Sequence, residues 1–185
     1  MERQFFDLYL PIKCERKSRH GVLKALLMAL HKVGTRKDTF PMLDESGKLL
    51  GELIRSFVVY LVPTGSTEEQ KEKVRLTKER ARSLARVYSD ADYSKLCLLI
   101  VASYKRRKDD RFVGLKRDTF EVTIAMEGDY IKVYITHASG VVRTSSREVL
   151  EMVQREFVRA AKQRYRRILD FTLEDVKVGH VPEVF

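Results

Sequence analysis

The 185-residue chain has no Asn and no Trp, four Gln, and two cysteines, Cys14 and Cys97. Two thiols cannot build a cysteine-type zinc site, and the spacing of His20, His31, His137 and His180 supplies no paired ligands either. Reduced, buried thiols are expected. A disulfide between them stays open, because intracellular proteins of hyperthermophiles are an exception to the rule of reduced thiols. The chain also lacks a phosphate-binding glycine loop and a Gly-x-Ser-x-Gly elbow. No metal and no other cofactor is expected. Four Pro and nine Gly, with 44% hydrophobic residues, exclude a disordered or fibrous chain. No apolar run reaches the length of a membrane span, and residues 1–20 are too charged for a signal peptide. A cytoplasmic protein without membrane contact is the expectation.

Charge is what the chain has in quantity. Charged residues make up 34% of it, and the formal net charge is +10 with a pI near 9.6. Few amides beside much charge is a hyperthermophile composition. The positive balance favours polyanionic partners, nucleic acid first and an acidic protein or anionic surface second.

The most legible stretch is Thr119–His137. Phe120, Val122, Ile124 and Met126 alternate with polar residues, as do Ile131, Val133 and Ile135, which marks two half-buried strands. A two-residue Gly128-Asp129 turn makes the apolar faces coincide, pairing Met126 with Ile131, Ile124 with Val133 and Val122 with Ile135. The outer face is then expected to show Tyr130, Lys132 and Tyr134 beside Thr123 and Ala125.

Around this hairpin the periodicities predict further elements. Gln4–Ile12 reads as a strand with Phe6, Leu8, Leu10 and Ile12 on one face, and Pro11 marks an edge. Ser18 opens a helix that buries Val22, Leu23, Leu26, Leu27 and Leu30 and ends at Gly34. Thr35–Gly51 reads as a loop, and Leu53–Val62 as a covered strand broken by Arg55 and Ser56. Ser66 and Glu69 form a capping box for a helix to about Tyr88. Leu96–Ala102 is apolar throughout. Its acidic start and its Lys105–Lys108 end favour a helix. Val141–Arg143 reads as a short strand. Ser145 and Glu148 open a last helix to Phe171 that buries Val149, Leu150, Val153, Phe157, Ala161, Tyr165 and Ile168. These elements imply one α+β domain over residues 1–172, with about four or five antiparallel or mixed strands and about four helices packed on them. Residues 173–185 read as an extended tail.

Two helical faces carry cations. Lys71, Arg75, Lys78, Arg82 and Arg86 fall within an arc of about 80°. Arg155, Arg159, Lys162 and Arg166 form a second stripe. A basic loop containing Lys105, Arg106 and Arg107 lies between the helices. With Tyr130, Lys132 and Tyr134 as stacking and phosphate groups, these residues point to sequence-tolerant nucleic-acid binding without catalysis. Single-stranded DNA or RNA is favoured, since cations position phosphates and aromatic faces stack unpaired bases. Two other readings compete. One is a homodimeric or other assembly subunit with an acidic protein partner. The other is a metal-dependent nuclease drawing on Asp109, Asp110, Asp118, Glu121 and Asp129, which would have to converge on a cation.

Overall fold

The computed structural model describes residues 8–62, 73–89 and 94–164. Its strands are β1 (Leu8–Lys13), β2 (Lys37–Leu43), β3 (Leu49–Val62), β4 (Val74–Arg75), β5 (Lys95–Lys108), β6 (Arg111–Glu127) and β7 (Tyr130–Ser139). Three α-helices accompany them among the described residues: α1 (Arg19–Val33), α2 (Lys78–Tyr88) and α3 (Ser146–Arg164). All strand pairs are antiparallel, in the order β1-β7-β6-β5-β3-β2, with the short β4 beside β3. The sheet curls into a half-barrel.

This overturns the expected α+β domain of four or five strands and four helices, because more of the chain is sheet than helix. Three segments account for the difference. Leu96–Ala102 lies in strand β5 rather than in a helix. Thr35–Gly51 is mostly the β2–β3 hairpin rather than a loop. The helix expected from Ser66 is interrupted, since Val74 and Arg75 pair with β3 and α2 begins after Thr77. Thr77 Oγ1 accepts from the Arg80 amide and so supplies the cap. Val141–Arg143 is not a strand. Gln4–Asp7, Ser66, Glu69, Tyr165–Phe171 and the tail 173–185 lie outside the described residues.

The β6–β7 hairpin has the expected register, with Met126 opposite Ile131, Ile124 opposite Val133 and Val122 opposite Ile135. Gly128 has φ +59°, the positive value that a primed turn requires at its first central position. Thr123 and Ala125 lie on the outer face but are buried rather than exposed. Their short side chains stand between the longer Tyr134 and Lys132 of β7 and Cys97 and Lys95 of β5.

The core forms between the inner sheet face and the helices. Leu8, Leu10, Ile12, Phe57, Val59, Leu98, Ile100, Phe120 and Ile124 meet α1, α2 and α3 there. α1 is apolar on most of its circumference because it is wedged between the sheet and both other helices. Arg19 Nη2 donates to the Gly128 carbonyl at 2.8 Å, tying the start of α1 to the β6–β7 turn. At its other end Gly34 closes against β3, where a Cβ would lie 3.2 Å from Val59 Cγ2. No helix among the described residues is long and apolar enough to cross a membrane.

Candidate functional site: a basic sheet extension and a cationic groove

The helices cover only part of the inner sheet face. Beyond them the sheet continues as an extension of four strands, β2, β3, β5 and β6, that carries no helix among the described residues. Its limit is a row of buried polar groups. Arg55, in the middle of apolar β3, lies between the rings of Phe40 and Phe57, at 4.9 and 5.0 Å. Its guanidinium donates to Asp38 Oδ2 at 2.9 Å, Glu148 Oε1 at 2.8 Å and Thr144 Oγ1 at 3.1 Å. Burial works against its charge, and the two carboxylates more than offset that. Glu148 therefore serves Arg55, while its own amide donates to Ser145 Oγ, so half of the expected capping box forms.

The row continues through Tyr104, whose hydroxyl contacts Thr144 Oγ1 at 2.7 Å and donates to Asp118 Oδ2 at 2.6 Å. Asp118 is fully buried. It also contacts His137 Nε2 at 2.9 Å and accepts from the amides of Val142, Arg143 and Thr144 at 2.8, 2.8 and 3.2 Å. Burial raises its pKa, but these donors lower it further, to about 2. The carboxylate thus organises the loop into α3. To present its amide, Val142 adopts φ +58°, a left-handed conformation that costs a β-branched residue about 1–2 kcal/mol.

Gly140 is part of the same construction. It has φ +114°, and a Cβ there would collide with Asp118 Oδ1 and the Arg117 carbonyl and lie 2.8 Å from Asp118 Cα. Gly47, with φ +84°, has open space around it. Gly140→Ala is expected to destabilise by at least about 2 kcal/mol, and Gly47→Ala by about 1 kcal/mol, from backbone strain alone. Urea midpoints of the two variants test this. Equal shifts would show that the Asp118 loop is free to yield.

Past the polar row, the extension is strongly basic. The expected loop at Lys105–Arg111 is the tip of the β5–β6 hairpin, closed by Asp109 and Asp110 at φ +50° and +60°. Asp tolerates this left-handed geometry, which Asn would otherwise supply in a chain that has none. Strand alternation divides the cations. Arg106, Lys108 and Arg111 share the inner face with Leu53, Val113 and Leu115, and line an open groove of about 660 Å³. Lys105 and Arg107 lie on the outer face with Phe112, and Arg107 pairs with Glu52. Phe112 is 58% exposed and Phe40 is 39% exposed. Sequence reasoning missed both. The available signal was an aromatic inside a basic run, Arg111-Phe112-Val113, where no apolar partner pattern continues.

The other candidate residues lie elsewhere. Tyr130, Lys132 and Tyr134 occupy the far end of β7, about 40–50 Å along the sheet from the tip at roughly 3.3 Å per residue. Tyr134 stacks on Tyr9 with centroids 5.9 Å apart, and its hydroxyl donates to Glu127. Lys132 Nζ lies 3.0 Å from the Glu127 carboxylate and 5.7 Å from the Tyr130 ring centroid. The first helical stripe is divided. Arg75 belongs to β4, while Lys78, Arg82 and Arg86 are on α2. Lys71 and Arg166 lie outside the described residues. Arg155 and Arg159 meet Lys32, Arg36 and Lys37 in a separate groove, and Lys162 is exposed on α3. Arg159 pairs with Glu156 at 2.8 Å.

The acids considered for a nuclease do not converge. Asp109 and Asp110 form one turn, Asp129 sits in another, Asp118 is buried and Glu121 is on the outer face. Among the described residues no group of three or more His, Cys, Asp and Glu could hold a metal ion. Cys14 and Cys97 are free thiols, and burial pushes that of Cys14 up to about 11. No protein-family model, curated protein or solved structure matches this chain.

Proposed function

We propose that this protein binds nucleic acid without strong sequence preference, through the basic sheet extension, with single-stranded DNA or RNA favoured over duplex. The observation that carries this reading is the β5–β6 tip. Lys105, Arg106, Arg107, Lys108 and Arg111 are concentrated there against Asp109, Asp110 and Glu52, the last paired with Arg107, and Lys116 and Arg117 follow along β6, on strands without helix cover. Such a cluster lowers the potential energy of a phosphate chain and releases its counterions. Exposed Phe40, on the inner face in line with Leu53 and Arg106, adds apolar ring surface there, and Phe112 does so on the outer face; a stacked base is worth about 1–3 kcal/mol.

Width supports the single strand. Four strands at about 4.8 Å spacing place the outer backbones about 14 Å apart, before side chains are added. A major groove is about 12 Å wide and admits a two-stranded ribbon. The extension can therefore lie along a chain of splayed nucleotides more readily than inside a groove.

Fluorescence anisotropy with labelled single-stranded DNA, single-stranded RNA and duplex, across a salt titration, tests the reading. Binding at micromolar or lower Kd is expected for single strands, with a steep negative salt slope. Absence of binding at low salt would overturn it and leave the basic tip to an acidic protein partner. Equal affinity for duplex would remove the single-strand preference.

A further inference from the structure

A second cationic site lies away from the extension, and it is assembled by tertiary contact. The last turn of α1, the first residues of β2 and the middle of α3 enclose a groove of about 510 Å³. Lys32, Arg36, Lys37, Arg155 and Arg159 line it, with Asp38 and Glu156 as the two acids. Both acids are already committed. Asp38 accepts from Arg36 and Arg55, and Glu156 accepts from Arg159. Among the described residues no carboxylate pairs with Lys32, Lys37 or Arg155. Five cations against two carboxylates leave an excess of three positive charges in one concavity.

The C-terminal dipole of α1 contributes about half a negative charge there, too little to account for three cations as helix caps. The same end of α1 affects its neighbour. His31 has its pKa lowered by burial first and then by Lys78, Arg75 and Lys32. Of these cations only Lys32 belongs to the groove; Lys78 and Arg75 are on α2 and β4. The Thr35 hydroxyl lies on the wall and donates to the Lys32 carbonyl at 2.8 Å, leaving its oxygen able to accept.

We infer that the groove between α1, β2 and α3 binds a phosphate group, held by Lys32, Lys37 and Arg155 with Arg36 and Arg159 at its sides. Guanidinium forks and ammonium groups on three walls suit a tetrahedral, multiply charged oxyanion better than a single carboxylate. Its source is either a small phosphorylated molecule or the phosphorylated end of a nucleic-acid strand. The inference does not depend on nucleic-acid binding by the extension.

Isothermal titration of inorganic pyrophosphate into the full chain, at fixed ionic strength, is the test. Saturable binding at one site per chain is expected. Lys37→Glu with Arg155→Glu should weaken it at least about tenfold, the loss of one or more charge-assisted contacts. Both side chains are exposed, so an unchanged urea midpoint establishes that the variant is folded. Arg106→Glu with Lys108→Glu and Arg111→Glu should leave pyrophosphate affinity unchanged within about twofold, because the groove lies apart from these residues. Absence of saturable heat would overturn the inference, and so would an equal loss in both sets of variants. Competition with a short single strand, bearing either a 5′-phosphate or a 5′-hydroxyl, separates the sources. Displacement by the phosphorylated strand alone identifies a chain end, and displacement by neither identifies a small phosphorylated ligand. Equal displacement by both would reduce the groove to a general polyanion attractor and overturn it.

Discussion

Asp118→Ala is expected to lower the unfolding free energy by about 3–5 kcal/mol, a large share of the 5–15 kcal/mol typical of a domain. The side chain is fully buried and satisfies Tyr104, His137 and three backbone amides. Removing it leaves the buried Tyr104 hydroxyl and Thr144 amide without this acceptor, at about 1–3 kcal/mol for each unsatisfied group before relaxation, and the part-buried His137, Val142 and Arg143 donors lose it too. The strained Val142 conformation loses its compensation at the same time. Urea unfolding measures the loss, and amide exchange at Val142 and Arg143 should accelerate more than at Ile135. A loss below about 1 kcal/mol would show that the loop holds without the anion.

The same carboxylate makes stability depend on acid. Its folded pKa lies at about 2, below the ordinary 3.8. The folded state therefore binds the proton less readily than the unfolded state. Its stabilisation is complete above about pH 4 and is lost as pH falls toward 2, amounting to about 2 kcal/mol. In Asp118→Ala that share of the acid limb should disappear. An unchanged slope between pH 4 and 2 would assign acid sensitivity to other carboxylates.

The elements that sequence made legible are those with one buried and one exposed face. The β6–β7 register follows from period-two alternation and a Gly-Asp turn, and β1 is an edge strand, as Pro11 suggests. Helix α1 ends at Val33, where Gly34 permits the approach to β3. Strands lacking that contrast were misread. Leu96–Ala102 is apolar at every position, so β5 has no alternation there to separate it from a helix. β2 lies mostly beyond the helices, with Lys37, Thr39, Phe40, Pro41 and Leu43 all exposed, so it too lacks a periodic apolar face. Lys105–Lys108 resembled a helix C-terminus because cations suit that position as well as an uncovered ribbon.

The candidate sites were legible as charge and not as places. Arg155 and Arg159 were identified, but Lys32, Arg36 and Lys37 join them through the packing of α1 against α3. The Arg55–Asp118 network left only faint marks, a lone Arg in an apolar strand and an Asp before an alternating one. Burial converts those marks into the boundary between the core and the exposed extension.

The largest functional effect is expected from reversing charge on the inner face of that extension, by Arg106→Glu, Lys108→Glu and Arg111→Glu together. These residues line one groove, with Val113 and Leu115 beside them. Each phosphate neutralised on a single strand releases about 0.7 counterion, so near 0.1 M salt each contact is worth about 0.7 log unit. Three lost contacts amount to about two log units, and the repulsion from three carboxylates adds to that. Affinity for a single-stranded oligonucleotide should fall at least about 100-fold, and the log–log salt slope should become shallower by about 2. Stability should move little, because the tip lies outside the buried core. A variant with the same charge change on α2, Lys78→Glu with Arg82→Glu and Arg86→Glu, is the control. It should lose less than about tenfold, through long-range field alone. If the two variants lose affinity equally, net charge accounts for the binding and the sheet extension has no privileged role. A large loss confined to the extension, with the salt slope reduced in step, would assign the phosphate contacts to the inner face of β5 and β6.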